Sequence, residues 1–218
     1  MASGGKDSAL ALYHALKEGH KVECLATMIP LRDDSWMFHF PNIRLVDLFA
    51  EAMDIPLAKS ETEGVKEEEV EDLGRLLEKL HVEGVVSGAI ASSYQKQRID
   101  RLCEKLGMVS LAPLWGIEPI AVLRELQDLR FQAIITAVFA YGFNEEWLGR
   151  TVDNQTVKEL ESLNRRYGIS IVGEGGEYES FVLDGPIFKK RIRIVEAEKT
   201  WKNQTGYYNI KKAELESK

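Results

Sequence analysis

The chain has 218 residues, 44% of them hydrophobic and 29% charged, with a net charge of −7. That balance suits one large soluble domain or two small ones with a sizeable core, and it excludes a disordered or fibrous chain. The acidity argues against a general nucleic-acid surface; the local basic run Lys189-Lys190-Arg191-Ile192-Arg193 reads as a solvated strand face.

In chain order, apolar periodicity predicts a helix over 9–17 with Gly19 as its C-terminal cap, then a buried strand over 22–29. A helix over 47–53 ends at the Ile55-Pro56 step, and a strand over 57–61 follows. Val70, Leu73, Leu76, Leu77 and Leu80 stand at helical spacing opposite an acidic face, which predicts a helix over 65–80. A buried strand at 84–88, a helix at 94–106 and a strand at 108–112 lead into Pro113-Leu114-Trp115-Gly116. Strand and helix alternate throughout, as in a parallel sheet covered on both faces with ligands at the C-terminal ends of its strands.

From about residue 117 the rhythm changes. Helices over 119–129 and 156–167 precede strands over 132–139 and 169–172. Extended segments at 178–183, 187–200 and 207–215, with turns at 184–186 and 203–206, complete a second, α+β unit. The expected division is therefore 1–116 and 117–218. The longest apolar stretch, 133–143, falls short of the ~20 residues of a membrane helix, and no signal pattern opens the chain, so a cytoplasmic location is expected. Cys24 and Cys103 are isolated and read as small buried hydrophobes; no CxxC pair exists to carry sulfur.

The loop Ser3-Gly4-Gly5-Lys6-Asp7-Ser8 opens directly onto the first helix. Glycines let backbone approach an anion, first-turn amides point donors at it, and the helix dipole adds positive potential. The Walker A pattern is excluded, because no Gly stands four residues ahead of Gly5-Lys6 and Asp7 follows the lysine. The loop resembles the SGGxDS motif of the PP-loop ATP pyrophosphatases. That resemblance implies a Rossmann-like, adenine nucleotide alpha hydrolase-like parallel-sheet domain, β- and γ-phosphates held by the loop, and adenylation of a substrate oxygen.

Four further segments narrow the resemblance: Ser35 to His39 with Pro41-Asn42, Ser87 to Gln95 with Arg98, Pro113 to Gly116, and Gly173-Glu174-Gly175-Gly176-Glu177-Tyr178-Glu179-Ser180. Together with the loop they resemble the diphthine–ammonia ligases over nearly the whole chain. The last run is the most distinctive, because the wider PP-loop group lacks it. The resemblance implies that ATP, diphthine on translation elongation factor two and ammonium yield diphthamide, AMP and pyrophosphate, with Mg²⁺ as cofactor. From the charge balance and the short apolar stretch, neither a membrane nor a direct nucleic-acid partner is expected, and homo-oligomerisation is left open.

Ser3, Gly4, Gly5, Lys6, Asp7, Ser8 and Gly88 are the expected nucleotide contacts, with Lys6 catalytic and Asp7 a Mg²⁺ or water-mediated ligand. On the residues alone, Asp7 is equally well a first-turn carboxylate complementing the helix dipole. Lys6 and Asp7 are expected on a surface loop whose substitution leaves the fold intact. Alternation predicts Glu177 and Glu179 on one face, with Glu174 nearby, to attract ammonium and accept its proton; an acidic solvent face is the alternative. His39, Tyr94, Gln95, Arg98, Trp115, Gly175 and Gly176 are the expected substrate contacts, against plain capping and packing roles for the same side chains. Two other functions fit the loop: a PP-loop ligase for another small molecule or tRNA, and a nucleotide-binding domain without chemistry.

Only Met1 and Ala2 precede the loop, where this architecture has a buried central strand. The expectation is an N-terminal strand cut short, so that 22–29 and 85–88 do not pair directly.

Overall fold

The computed structural model describes residues 1–31, 42–63 and 68–218. Helix α1 (Lys6–Lys17) starts at Gly5 in extended backbone with no side-chain cap, and ends with Gly19 at φ +89°, a conformation glycine adopts without strain. Strand β1 (Leu25–Pro30), helix α2 (Val46–Met53), strand β2 (Leu57–Thr62), helix α3 (Glu68–Glu78) and strand β3 (Gly84–Val86) follow. Helix α4 (Ser93–Leu106), strand β4 (Val109–Leu111) and helix α5 (Pro119–Asp128) complete the alternating part. Strand β5 (Gln132–Val138), helix α6 (Asn154–Tyr167) and strands β6 (Tyr178–Asp184), β7 (Lys190–Lys202) and β8 (Thr205–Ser217) form the rest.

The parallel part is two separate ladders, β1 with β2 and β3 with β4. β1 and β3 are not hydrogen-bonded neighbours; residues 1 and 2 stand between them. The Ala2 amide donates to Ala26 O at 2.9 Å, and the Met1 amino group donates to Val86 O at 2.6 Å. A cavity of about 450 Å³ adjoins them, lined by Val22, Cys24, Leu77 and Val82 among others. The direct pairing of 22–29 with 85–88 that would have closed the sheet is thus absent.

The second unit is an antiparallel sheet in the order β6-β5-β8-β7. β7 and β8 form a long hairpin through Asn203 and Gln204, both at positive φ (51° and 64°). A two-residue turn with both residues left-handed matches the twist of the flanking strands. The run 169–172, predicted as a strand, is instead a turn segment: Ile169 and Val172 are buried, yet Glu177 and the Lys6 ammonium take the backbone groups a sheet neighbour would have used. Short 3₁₀ turns at Ile43–Leu45 and Glu145–Trp147 were not legible from periodicity.

One apolar core runs through both units, from Leu10 of α1 through Phe49, Leu123 and Ile135 to Phe181 and Ile210. A smaller cluster, with Met28, Leu73, Leu77, Ile99 and Cys103, lies under α3 and α4. Asn42, itself buried, stitches the units further, donating to Tyr208 O at 3.0 Å and accepting from the Ile210 amide at 3.1 Å. Among the described residues, no helix is long and apolar enough to cross a membrane.

Candidate active site

A cavity of about 630 Å³ opens where the loop before α1, the middle of β1, the segment just after β3, and the glycine-rich run before β6 converge. Ser3, Asp7, Ser8, Gly88, Tyr94, Gln95, Glu174, Gly175, Gly176 and Glu179 all line it. Sequence reasoning therefore selected residues from three distant segments that the fold brings to one place.

The loop is held from within and from β6. The Ser3 hydroxyl accepts from the Gly5 amide at 3.2 Å, and the Ser8 hydroxyl donates to Gly5 O at 3.0 Å. The Ser180 hydroxyl accepts from the Lys6 amide at 3.2 Å, and the Val182 amide donates to Gly4 O at 2.9 Å. Gly4, at φ +80°, lies against the Phe181 ring, which a Cβ would meet at 2.6 Å. Gly88 is required for a different reason: a Cβ there would stand 2.8 Å from Asp7 C and the Ser8 nitrogen, so the end of β3 packs directly on loop backbone.

Lys6 is not on a surface loop, which corrects the sequence expectation. Its side chain is 3% exposed, and its ammonium donates to Val172 O at 2.5 Å and to Asp7 Oδ2 at 2.9 Å, 5.1 Å from the centre of the Tyr178 ring. It does not line the cavity. Burial opposes its charge, but the adjacent Asp7 carboxylate more than compensates and holds it protonated. Tyr178 is buried, donates to Ile171 O at 2.8 Å, and is pushed up to about 12 chiefly by burial. Asp7 is raised above the usual carboxylate range by burial, against the pull of Lys6. Its second oxygen, Oδ1, is shielded from solvent and has no hydrogen-bond partner among the described residues.

The three glutamates of the glycine-rich run have separate fates. Glu174 accepts from the Ile90 amide at 2.8 Å and the Ala91 amide at 2.6 Å, clasping this run to the segment after β3. Glu177 accepts from the Ser170 amide at 2.8 Å and the Gly175 amide at 2.9 Å, which holds the turn through Gly173 (φ +75°) and Gly176 (φ +81°). Strand β6 begins only at Tyr178, so the expected pairing of Glu177 with Glu179 on one face does not form. Glu177 is drawn away by amides that the tight turn leaves unpaired. Glu179 alone of that pair lines the cavity, and desolvation pushes its carboxyl up to about 8.

The expected substrate contacts divide. Tyr94 and Gln95 stand in the first turn of α4, capped by the Ser92 hydroxyl. Arg98 lies one turn on, its guanidinium 3.5 Å over the Tyr94 ring. Trp115 is 39% exposed outside the cavity, with the Lys96 ammonium 5.4 Å over its ring. His39 lies outside the described residues. Phe139, just past β5, lines the cavity and was missed because a lone apolar residue at a strand end carries no signal of its own.

Two family models match the chain: the diphthamide synthase N-terminal domain over residues 1–110 and the diphthamide synthase C-terminal domain over residues 118–215. This chain belongs to the diphthamide synthase family. The human diphthine–ammonia ligase is 37% identical to it, covering 91% of this chain and 82% of the human protein. The zebrafish diphthine–ammonia ligase is also 37% identical, over 92% of this chain and 86% of its own. The fission yeast diphthine–ammonia ligase is 35% identical over 91% of this chain, which spans 36% of that longer protein. A solved chain described as a predicted subunit of tRNA methyltransferase from Methanocaldococcus jannaschii matches at TM-score 0.42 and 16% identity, over 85% of this chain and 95% of that one. That likeness is too weak to bear on the reaction.

Gly88→Ala should drive β3 away from the Asp7–Ser8 backbone, because the added Cβ meets backbone and not a yielding side chain. ATP affinity measured by calorimetry should fall about tenfold or more, with a stability loss of roughly 1–3 kcal/mol. Unchanged ATP affinity would show that the loop and β3 need not touch.

Proposed function

We propose that this chain is a cytoplasmic ATP-dependent ligase that amidates diphthine on translation elongation factor two with ammonium, releasing AMP and pyrophosphate. The observation that carries this reading is the convergence of the phosphate-type loop and the family's glycine-rich run on one acidic cavity.

A carboxylate is a poor acceptor for an amine, so its oxygen first attacks the α-phosphorus of ATP and pyrophosphate leaves. Ammonia then attacks the acyl carbon of the adenylate and AMP leaves. Ser3, Asp7 and Ser8 form the wall on which the phosphates rest. Gly4 and Gly5, expected as nucleotide contacts, stand behind that wall, the Gly4 carbonyl accepting from the Val182 amide and the Gly5 amide donating to the Ser3 hydroxyl. The unpartnered, shielded Oδ1 of Asp7 suits a Mg²⁺ ion that takes one carboxylate and its remaining ligands from phosphate and water. Bound there, the ion would supply charge neutralisation for the departing pyrophosphate.

Lys6 acts behind the loop, fixing Asp7 and the carbonyl of Val172 in place. Glu174 and Glu177 hold the glycine-rich run in shape through backbone amides. Glu179 remains as the carboxyl that, once ionised by a cation beside it, receives the proton ammonium must lose before it can attack. Tyr94 and Gln95 line the same cavity and are the side chains of α4 offered to the substrate.

The reading is tested by mixing the protein with ATP, ammonium chloride and elongation factor carrying diphthine. AMP and diphthamide should form only when all are present. AMP release without the factor, or with tRNA in its place, would overturn it.

Glu179→Gln should spare adenylation and slow amide formation, so that adenylated factor accumulates in a mass spectrum. It should also alter stability in the protein without nucleotide or metal. The unfolded chain ionises this glutamate above about 4.5, whereas the folded chain keeps it neutral until about 8. Folding stability is therefore lost as pH rises through that window. The Gln variant should match the parent near pH 4 and be the more stable at pH 8 in urea unfolding. Equal stabilities at pH 8 would show that Glu179 is solvated.

A further inference from the structure

The lining of the main cavity is one-sided in charge. Asp7, Glu174 and Glu179 contribute carboxyl groups, that of Glu179 ionising as a cation settles beside it; among the described residues no Lys or Arg lines it, and burial pushes the amino group of Met1, which also borders it, down to about 6. Such a wall favours cations, and the ligase reading, on which this inference rests, supplies two of different kinds. Ammonium donates hydrogen bonds. The trimethylammonium group of diphthine donates none, so it is recognised by carboxylate charge and by the face of an aromatic ring.

Two aromatic rings line the cavity, Tyr94 and Phe139. Arg98 already lies 3.5 Å over Tyr94, and the neighbouring Trp115 has Lys96 over its face. Phe139 differs: among the described residues no cation stands over its ring. It is half-buried and braced edge-to-face by Tyr207, with ring centres 5.5 Å apart at 74°. Its amide donates to Glu177 O at 2.9 Å, which ties it to the glycine-rich turn. Ala137 and Glu179 are partners in the antiparallel register, so Phe139, two residues past Ala137, stands on the same side of the sheet as Glu179.

We propose that the Phe139 ring, on the same side of the sheet as Glu179 and lining the same cavity, is the seat of the quaternary ammonium group of diphthine. The trimethylammonium and the carboxylate of diphthine are borne on one carbon. Seating the first on Phe139 fixes the direction of the second, and the phosphate loop lies across the same cavity. This makes Phe139 a determinant of which carboxylate is adenylated: an acid without a quaternary neighbour forfeits that contact.

Tetramethylammonium chloride is the probe, with potassium chloride at equal ionic strength as control. It should raise the apparent KM for the diphthine-bearing factor and leave that for ATP unchanged. Phe139→Leu should raise the factor KM about tenfold, keep the ATP KM and melting temperature, and abolish the tetramethylammonium effect, while Phe139→Trp should retain it. A Phe139→Leu factor KM within about twofold of the parent, or inhibition no stronger than by potassium, would overturn the proposal. Should Phe139→Leu not fold, Phe139→Met takes its place. If the parent protein makes no AMP with the factor, the ligase reading fails separately. Calorimetry of tetramethylammonium on parent and variant then decides the cation seat: heat lost in the variant supports it, and no binding to the parent refutes it.

Discussion

The site depends on one buried interaction, the Lys6 ammonium shared between Asp7 and the carbonyl of Val172. An ammonium taken out of water needs both an opposite charge and further acceptors, and here they come from the next residue and from one 166 positions away. The same contact orients the Asp7 carboxylate at the cavity wall and pins the turn that carries Glu174. A charge that sequence alone would assign to phosphate therefore sets the relative position of the two halves of the cavity.

Around that contact the antiparallel sheet supplies more of the site than a nucleotide-binding half would on its own. β6 is the edge strand of its sheet, and its outer side is covered by the phosphate-type loop through Ser180 and Val182. An edge strand left bare would invite pairing with other chains. Covering it with the loop also delivers Glu179 to the cavity. Glu174 and Glu177 lock backbone amides on either side, so the acidic run works partly as scaffold.

Much of this was legible in sequence, and the exceptions have physical causes. The alternation of strand and helix, the Gly19 stop and the 203–206 turn are local signals, and each appears where periodicity and turn chemistry put it. Gly88 was picked out for its place at a strand end, and its backbone does meet the loop. The burial of Lys6 was not legible, because its partners Val172 and Tyr178 are remote in sequence. The role of Glu177 was hidden because a two-residue alternation assumes a strand, and the strand starts one residue later. Segment 169–172 misled in the same way: its apolar pattern reflects burial, while its hydrogen bonds go to a lysine and a glutamate.

The most direct test of the account is the stability of Lys6→Met, Asp7→Asn and the double variant by urea unfolding, with ATP binding measured alongside. Methionine keeps the apolar length of lysine but leaves Asp7 and the Val172 carbonyl without their cation. The account predicts a loss of roughly 3–5 kcal/mol for Lys6→Met, much of it recovered when Asp7→Asn removes the stranded charge. Stability within about 0.5 kcal/mol of the parent, together with lost ATP binding, would contradict it and return Lys6 to the phosphates.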